Sequence, residues 1–223
     1  MDAGEKGRGF FVTFEGPEGG GKSTQIHRLA STLADQGFTV WTTREPGGTP
    51  LGERLRPILL GPRAGVLAPL SEALLFTTAR AQLVAEVIGP RLLRGELVLC
   101  DRFIDSTLAY QGYGRGLDLA FLTRLQEEAT GGLKPNLTLL LTLPVQVGLS
   151  RIPISSQDRL DREDPAFHAR VHDGYLRLAA SDPDRWRQVD ASANPDLVAA
   201  AILEHVQQAL QRAGIQPAER RSA

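Results

Sequence analysis

Short β-branched and aromatic runs alternate along this chain with longer stretches whose apolar residues recur every three or four positions. The runs Gly9–Glu15, Thr39–Thr43, Glu96–Asp101, Leu137–Leu143 and Trp186–Asp190 have the length and composition of strands. Helical spacing occupies 21–36, 68–92, 117–130, 144–151, 165–181 and 195–213 between them. Leu137-Thr138-Leu139-Leu140-Leu141 is apolar at nearly every position rather than every second one. That is the pattern of a strand covered on both faces. Alternating β and α then predict an α/β fold, a five-stranded parallel sheet with helices on both faces. Ligands of such a sheet gather at the carboxyl ends of its strands. No internal repeat and no interdomain linker is visible, so a single domain over 1–223 is expected. A polar segment at 151–163 reads as a lid or as a plain solvated loop, and 214–223 reads as a frayed tail.

The stretch 68–92 carries two faces. Leu70, Ala73, Leu74, Ala81, Val84 and Ile88 repeat at three and four and predict a core stripe. Phe76 and Arg80 sit four apart on another face, with Leu83 and Val87. An aromatic beside an arginine can stack a base and bond its edge, or Phe76 can be ordinary second-face core.

Composition narrows the class. An apolar content of 42% and a charged content of 23% are those of an ordinary soluble globule. The formal net charge of -1 supplies no global basic field for nucleic acid. Cys100 is the single cysteine, so an internal disulfide and a cysteine zinc cluster are both excluded. It follows Leu97-Val98-Leu99 and reads as a buried structural thiol. The segment MDAGEKGRG has no apolar signal region and no run is long enough to span a membrane, so a cytoplasmic protein is expected. The four histidines, His27, His168, His172 and His205, fall on helical patterns and are expected at the surface.

The chemistry begins after the first strand. Gly16-Pro17-Glu18-Gly19-Gly20-Gly21-Lys22-Ser23 reads G-x-x-x-x-G-K-S between a strand and a helix opening at Thr24. This is the phosphate-binding loop pattern in its proper context, which a mere Gly-rich turn would not require. Glycines let successive N–H groups converge, and the helix N-terminus adds positive potential. Lys22 is placed to reach the β- and γ-phosphates, and the Ser23 hydroxyl to hold Mg²⁺.

Strand ends select three further segments. Thr43-Arg44-Glu45-Pro46-Gly47-Gly48-Thr49 is a tight turn that is either an exposed loop or part of the site. Asp101-Arg102-Phe103 offers an acid for Mg²⁺ and a base for phosphate, or an ordinary ion pair. Arg151 to Glu163 is the lid candidate.

Taken together, GPEGGGKST, TREPGGTPLGERLR, EALLFTTARAQ, DRFIDSTLAYQGYGRG, GLKPNLTLLL and LDRE resemble bacterial thymidylate kinases, in order and spacing from about Phe11 to Asp190. TREPGGT and DRFIDSTLAYQG are specific to that family, whereas the phosphate loop alone is not. The resemblance implies transfer of the γ-phosphoryl of ATP to dTMP, with Mg²⁺, in a homodimer. By the same resemblance Phe76 would stack on thymine and Arg80 would bond its O4 edge. Thr107 and Gln111 would complete the base pocket, and Tyr110 would lie against the deoxyribose. Glu18 would meet the sugar 3′-hydroxyl, Arg56 and Arg102 would grip the dTMP phosphate, and Asp101 would join Ser23 at Mg²⁺. Glu45-Pro46 matches a cis-proline position of the acceptor site. Arg151 would pack near adenine, supported by Asp190-Ala191-Ser192.

The lid departs from the family's usual R-x-R-G-E-L-D-R. It reads RIPISSQDRLDR, and the phosphate loop has no arginine. Arg159 is therefore the expected catalytic arginine beside Lys22 and Arg102, ahead of Arg151 and Arg162. Competing readings are another nucleoside-monophosphate kinase, a GTP-dependent switch and a non-catalytic ATP-binding module. The switch should carry an N-K-x-D motif, which is missing.

Overall fold

The computed structural model describes residues 9–61 and 65–217. Five parallel strands run β1 (Phe10–Glu15), β2 (Val40–Arg44), β3 (Leu97–Asp101), β4 (Leu137–Thr142) and β5 (Trp186–Asp190). Their order is β2-β3-β1-β4-β5. The chain therefore leaves central β1 toward both edges, and the crevice beyond its carboxyl end lies at the switch point of the sheet. The register pairs Thr13 with Cys100 and Thr138, so β1 and β3 end within one residue of each other while β4 runs two residues past the end of β1.

Alternation along β1 splits the core into two layers. Phe10, Val12 and Phe14 face α1 (Lys22–Asp35) and α9 (Pro195–Arg212), meeting Leu29, Leu33, Ile202 and Val206. Phe11, beside Val98 and Cys100, faces the opposite layer with Leu83, Ile88 and Phe103. A third cluster gathers Tyr110, Leu140, Phe167, Val171 and Tyr175 between β4 and α8 (Pro165–Ser181). Each layer excludes water from one sheet face, the main favourable term in holding the fold.

The remaining helices are α2 (Pro50–Leu60), α3 (Pro69–Leu83), α4 (Gly89–Leu93), α5 (Ile104–Thr107), α6 (Leu119–Thr130) and α7 (Val145–Ser150). Four of these correct the sequence reading. α2 was not expected, although Thr49 caps it by accepting the Gly52 N–H at 3.0 Å and Pro50 occupies its first turn. α5 and the π-helical stretch Leu108–Gly114 were not expected either. The expected helix 68–92 is broken into α3, a π-helical turn at Val84–Ile88, and α4.

Within α3 the expected core stripe holds at Ala73 but fails at Leu70 and Leu74, which are exposed. Glu72, Thr77 and Arg80 are buried instead, because polar contacts satisfy them, and apolar Ala79 is buried with them. His168 is buried against the Phe167 ring, contrary to its expected surface position, while His27 is exposed as expected. Cys100 is fully buried, donates its thiol to the Arg102 carbonyl and has its pKa pushed well up by burial, as a structural thiol. Ile215 packs on the first core layer, so ordered chain continues past 213. Expectations for MDAGEKGR and for 218–223 lie outside the described residues.

Candidate active site

The loop between β1 and α1 is shaped by its glycines. Gly16, Gly19 and Gly21 have φ of 125°, 70° and 77°, where a Cβ is disfavoured. A Cβ on Gly19 would also sit 2.0 Å from the Gly148 carbonyl oxygen of α7. Lys22 folds back, donating from Nζ to the carbonyls of Gly16 at 3.1 Å and Pro17 at 2.9 Å. Burial, then Arg102, lower its pKa.

A cavity of about 340 Å³ opens over this loop. Glu18, Gly19, Gly20, Gly21, Lys22, Ser23 and Thr24 of the loop and the start of α1 line it. Glu45, Arg56, Phe76, Arg80, Asp101, Arg102, Thr107, Tyr110 and Gln111 line it as well. Gly16 and Pro17 are buried beneath the loop and contribute carbonyls rather than wall. Most of the positions singled out from sequence thus converge on one cavity, although they come from the ends of β1, β2 and β3, from α1, α2, α3 and α5, and from the π-helical stretch Leu108–Gly114.

Arg102 is its pivot. Its φ of 70° is unusual for a residue with a Cβ. The turn holds it: its N–H bonds the Phe14 carbonyl at 3.0 Å. The guanidinium donates to Gly16 O at 3.1 Å, Ser106 Oγ at 3.2 Å and Tyr175 Oη at 2.9 Å. It also pairs with Glu18 and reaches Tyr110 Oη at 3.2 Å. Burial raises the Glu18 pKa, but Arg102 and Lys22 outweigh it and hold the carboxyl down at about 2.

Beneath Arg102 lies Glu15, which sequence reasoning passed over. It accepts from Phe103 N at 2.8 Å, Ser106 Oγ at 2.6 Å and Tyr175 Oη at 2.9 Å. Burial and then Asp105 push its pKa up to about 7. Its position at the end of β1 was the available signal, since a carboxylate closing an apolar strand needs buried partners.

Arg80 is almost fully buried, with 1% of its surface exposed. It donates to Glu45 Oε2, Thr107 Oγ1 and Phe103 O at 2.8, 2.8 and 2.9 Å, and to Gln126. Its donors are thus held by protein acceptors, so the simple O4-edge role implied by resemblance would require an exchange of partners. The Glu45–Pro46 bond is cis, as the resemblance implied. Arg56 reaches the Pro46 carbonyl at 2.8 Å, tying α2 to this turn.

Ser23 Oγ donates to Asp101 Oδ2 at 2.6 Å. This hydroxyl–carboxylate pair beside the loop suits a hard cation such as Mg²⁺, which takes few protein oxygens and shares the rest with phosphates and water. Arg151 bridges Gly19 O at 3.3 Å and Ala191 O at 3.0 Å, joining the loop to the end of β5. The lid arginine Arg159 lies elsewhere than expected. It bonds the Leu59 carbonyl at 2.9 Å and the Glu72 carboxylate and is not part of the cavity wall, whereas its neighbours Asp158 and Leu160 are. In this arrangement its side-chain donors Nε and Nη2 are engaged by protein acceptors.

A family model described as thymidylate kinase matches residues 14–202. A thymidylate kinase of Thermomicrobium roseum is 53% identical over 205 residues, covering 91% of this chain and 97% of its own. One from Deinococcus radiodurans is 52% identical over 196 residues, covering 87% and 95%. A crystal structure of thymidylate kinase from Ehrlichia chaffeensis superposes with a TM-score of 0.74 at 32% identity, covering 89% of this chain and 99% of that one, so the sheet and its helices are those of a P-loop NTPase fold. With its phosphate loop, sheet order and near-complete coverage in agreement, the chain belongs to the thymidylate kinase family.

Proposed function

We propose that this chain transfers the γ-phosphoryl group of ATP to dTMP, giving dTDP on the way to dTTP. One observation carries the reading: a single cavity is lined both by Lys22 and Ser23 of the phosphate loop and by Phe76, Thr107 and Gln111. A triphosphate on the loop and a pyrimidine monophosphate against Phe76 would meet over Arg102 and Arg56.

The acceptor is a phosphate monoester with a second pKa of ~6, so it is anionic near neutral pH and needs no general base. The site must align two anions that repel each other and surround the moving group with positive charge. Lys22, Arg56 and Arg102 supply that charge, with the loop N–H groups. Arg80 donates to Thr107 Oγ1, which leaves the hydroxyl proton of Thr107 for a base carbonyl. Tyr110 and Glu18 flank the sugar, Glu45 anchors Arg80, and Arg151 and Thr24 serve the ATP side. Ser23 and Asp101 are the residues that would hold Mg²⁺, which when bound supplies further neutralisation of the donor phosphates.

The single-domain reading with its lid, a cytoplasmic setting and a homodimer belong to the same proposal. The exposed pair Leu70 and Leu74, four apart on α3, supports an apolar contact between copies, and sedimentation at graded concentrations tests it. No helix among the described residues is long and apolar enough to cross a membrane. The function itself is tested by coupled ADP release with dTMP, dUMP, dGMP and UMP in turn. Turnover should be fastest with dTMP, with dUMP slower but real, since the thymine methyl is worth only about 0.8 kcal/mol. ADP release that ignores dTMP would overturn the reading.

A further inference from the structure

We propose that Glu72 is a positioning residue that couples docking of the lid to reading of the base, with Arg159 as the lid's contact to it. This rests on the dTMP reading above and goes one layer behind it.

Glu72 sits in the first turn of α3 with no exposed surface, outside the cavity wall. Gln111 Nε2 donates to its Oε1 at 2.8 Å. Arg115 lies across both carboxylate oxygens at 3.2 Å and also holds Glu163 at 2.6 Å. Arg159 bonds Oε2. A carboxylate only accepts, so Glu72 dictates which end of the Gln111 amide faces it. With Nε2 committed there, Oε1 is the atom turned to the cavity that Gln111 lines. An acceptor at that place matches a donor on the base edge, which in thymine is N3–H.

The lid reaches the same carboxylate. The Arg159 N–H bonds the Leu60 carbonyl at 3.1 Å and its Nε the Leu59 carbonyl at 2.9 Å. These bonds seat Asp158 and Leu160 in the cavity wall beside Leu60. Lid, base reader and the end of α2 therefore share one buried anion. When the lid leaves, Glu72 loses a charge-assisted bond and the amide it holds loses part of its anchor. By linkage, a base that bonds Gln111 favours the docked lid. The lid's basic position thus has a purpose that does not need contact with the phosphoryl group.

Arg159→Ala tests this, because Arg115 still neutralises Glu72 and no buried charge is left unpaired. With ATP saturating, KM for dTMP should rise about tenfold, the size of one lost charge-assisted bond, while kcat and KM for ATP stay within about twofold. The preference for dTMP over its N3-methylated analogue should shrink by a similar factor. Arg159→Lys, which retains a donor, should restore part of both. In wild type, dTMP without ATP should slow amide hydrogen exchange over 157–161, and the alanine variant should lose that protection. Glu72→Gln, where it folds, should reproduce the KM change. A fall in kcat with KM for dTMP unchanged would return Arg159 to the transferring phosphoryl and overturn the proposal, as would an unmoved KM and unmoved exchange. A wild-type chain that fails to turn over dTMP removes the functional reading and this inference together, whereas wild-type turnover with indifferent variants removes only the inference.

Discussion

Arg80 heads the described residues as the largest fully buried side chain, and its cost and use are set by one partner. Burial raises the Glu45 pKa and Arg80 opposes that rise. Arg80→Ala leaves this carboxylate uncompensated inside the protein, so we expect a loss of about 3–5 kcal/mol in stability. Urea unfolding reads it directly, and a loss under about 1 kcal/mol would show that Glu45 simply takes up a proton. Base discrimination by Arg80 is therefore better approached through Thr107, which it orders. Lys22 contrasts with it. Its amine bonds only two loop carbonyls, which water can satisfy. Lys22→Ala should lower turnover by on the order of 10²–10³ with the melting temperature nearly unchanged. Wild-type turnover in that variant would remove Lys22 from the chemistry.

At the scale of elements, backbone approach matters more than side chains in one place. α7 meets the phosphate loop through glycine. A Cβ on Gly148 would lie 2.3 Å from the Glu18 carbonyl oxygen. Because backbone must then give way, Gly148→Ala should displace the loop and cost about 1–3 kcal/mol. The expected kinetic signature is a raised KM for ATP with a smaller effect on dTMP. Equal ATP affinity in variant and wild type would show that α7 yields instead. Nothing in VQVGLS announced this, since a glycine's close neighbour is a tertiary fact. α2 was more legible than the sequence reading allowed. Thr49-Pro50 is a helix start, but Gly52 and Pro57 within PLGERLRPILL obscured what followed.

Across the whole molecule, titration of the site feeds back on stability. Glu15 has an ordinary pKa of 4.5 unfolded and about 7 folded. Between these values the folded chain keeps a proton that the unfolded chain releases, so this group's contribution falls as pH rises and is flat above about 7. Glu18 runs the other way. Its depressed pKa contributes stability above 4.5 that is lost as pH falls toward about 2. Wild type should therefore lose stability relative to Glu15→Gln as pH is raised from about 5 to about 8. Denaturant melts of both proteins across that range give the comparison. A difference independent of pH would mean that Glu15 is ionised throughout.

By itself the sequence determined the alternation of strands and helices, the parallel sheet, the phosphate loop and the family resemblance. These rest on local patterns: runs of β-branched residues, three-and-four spacing, and glycines at fixed offsets from Lys22 and Ser23. Tertiary structure alone decided which polar residues are inside. Leu70 and Leu74 carry the apolar period of α3 yet face outward, while Glu72 and Arg80 on the same helix are buried. Each is held by partners far away in the chain, Gln111, Arg115 and Arg159 for one and Glu45, Thr107 and Gln126 for the other. Periodicity ranks positions by apolarity, but burial of a charge depends on whether the fold delivers its counter-charge and hydrogen bonds. For the same reason Arg159 could be identified as a lid arginine from its neighbours in sequence, while its partner Glu72 could be found only in space.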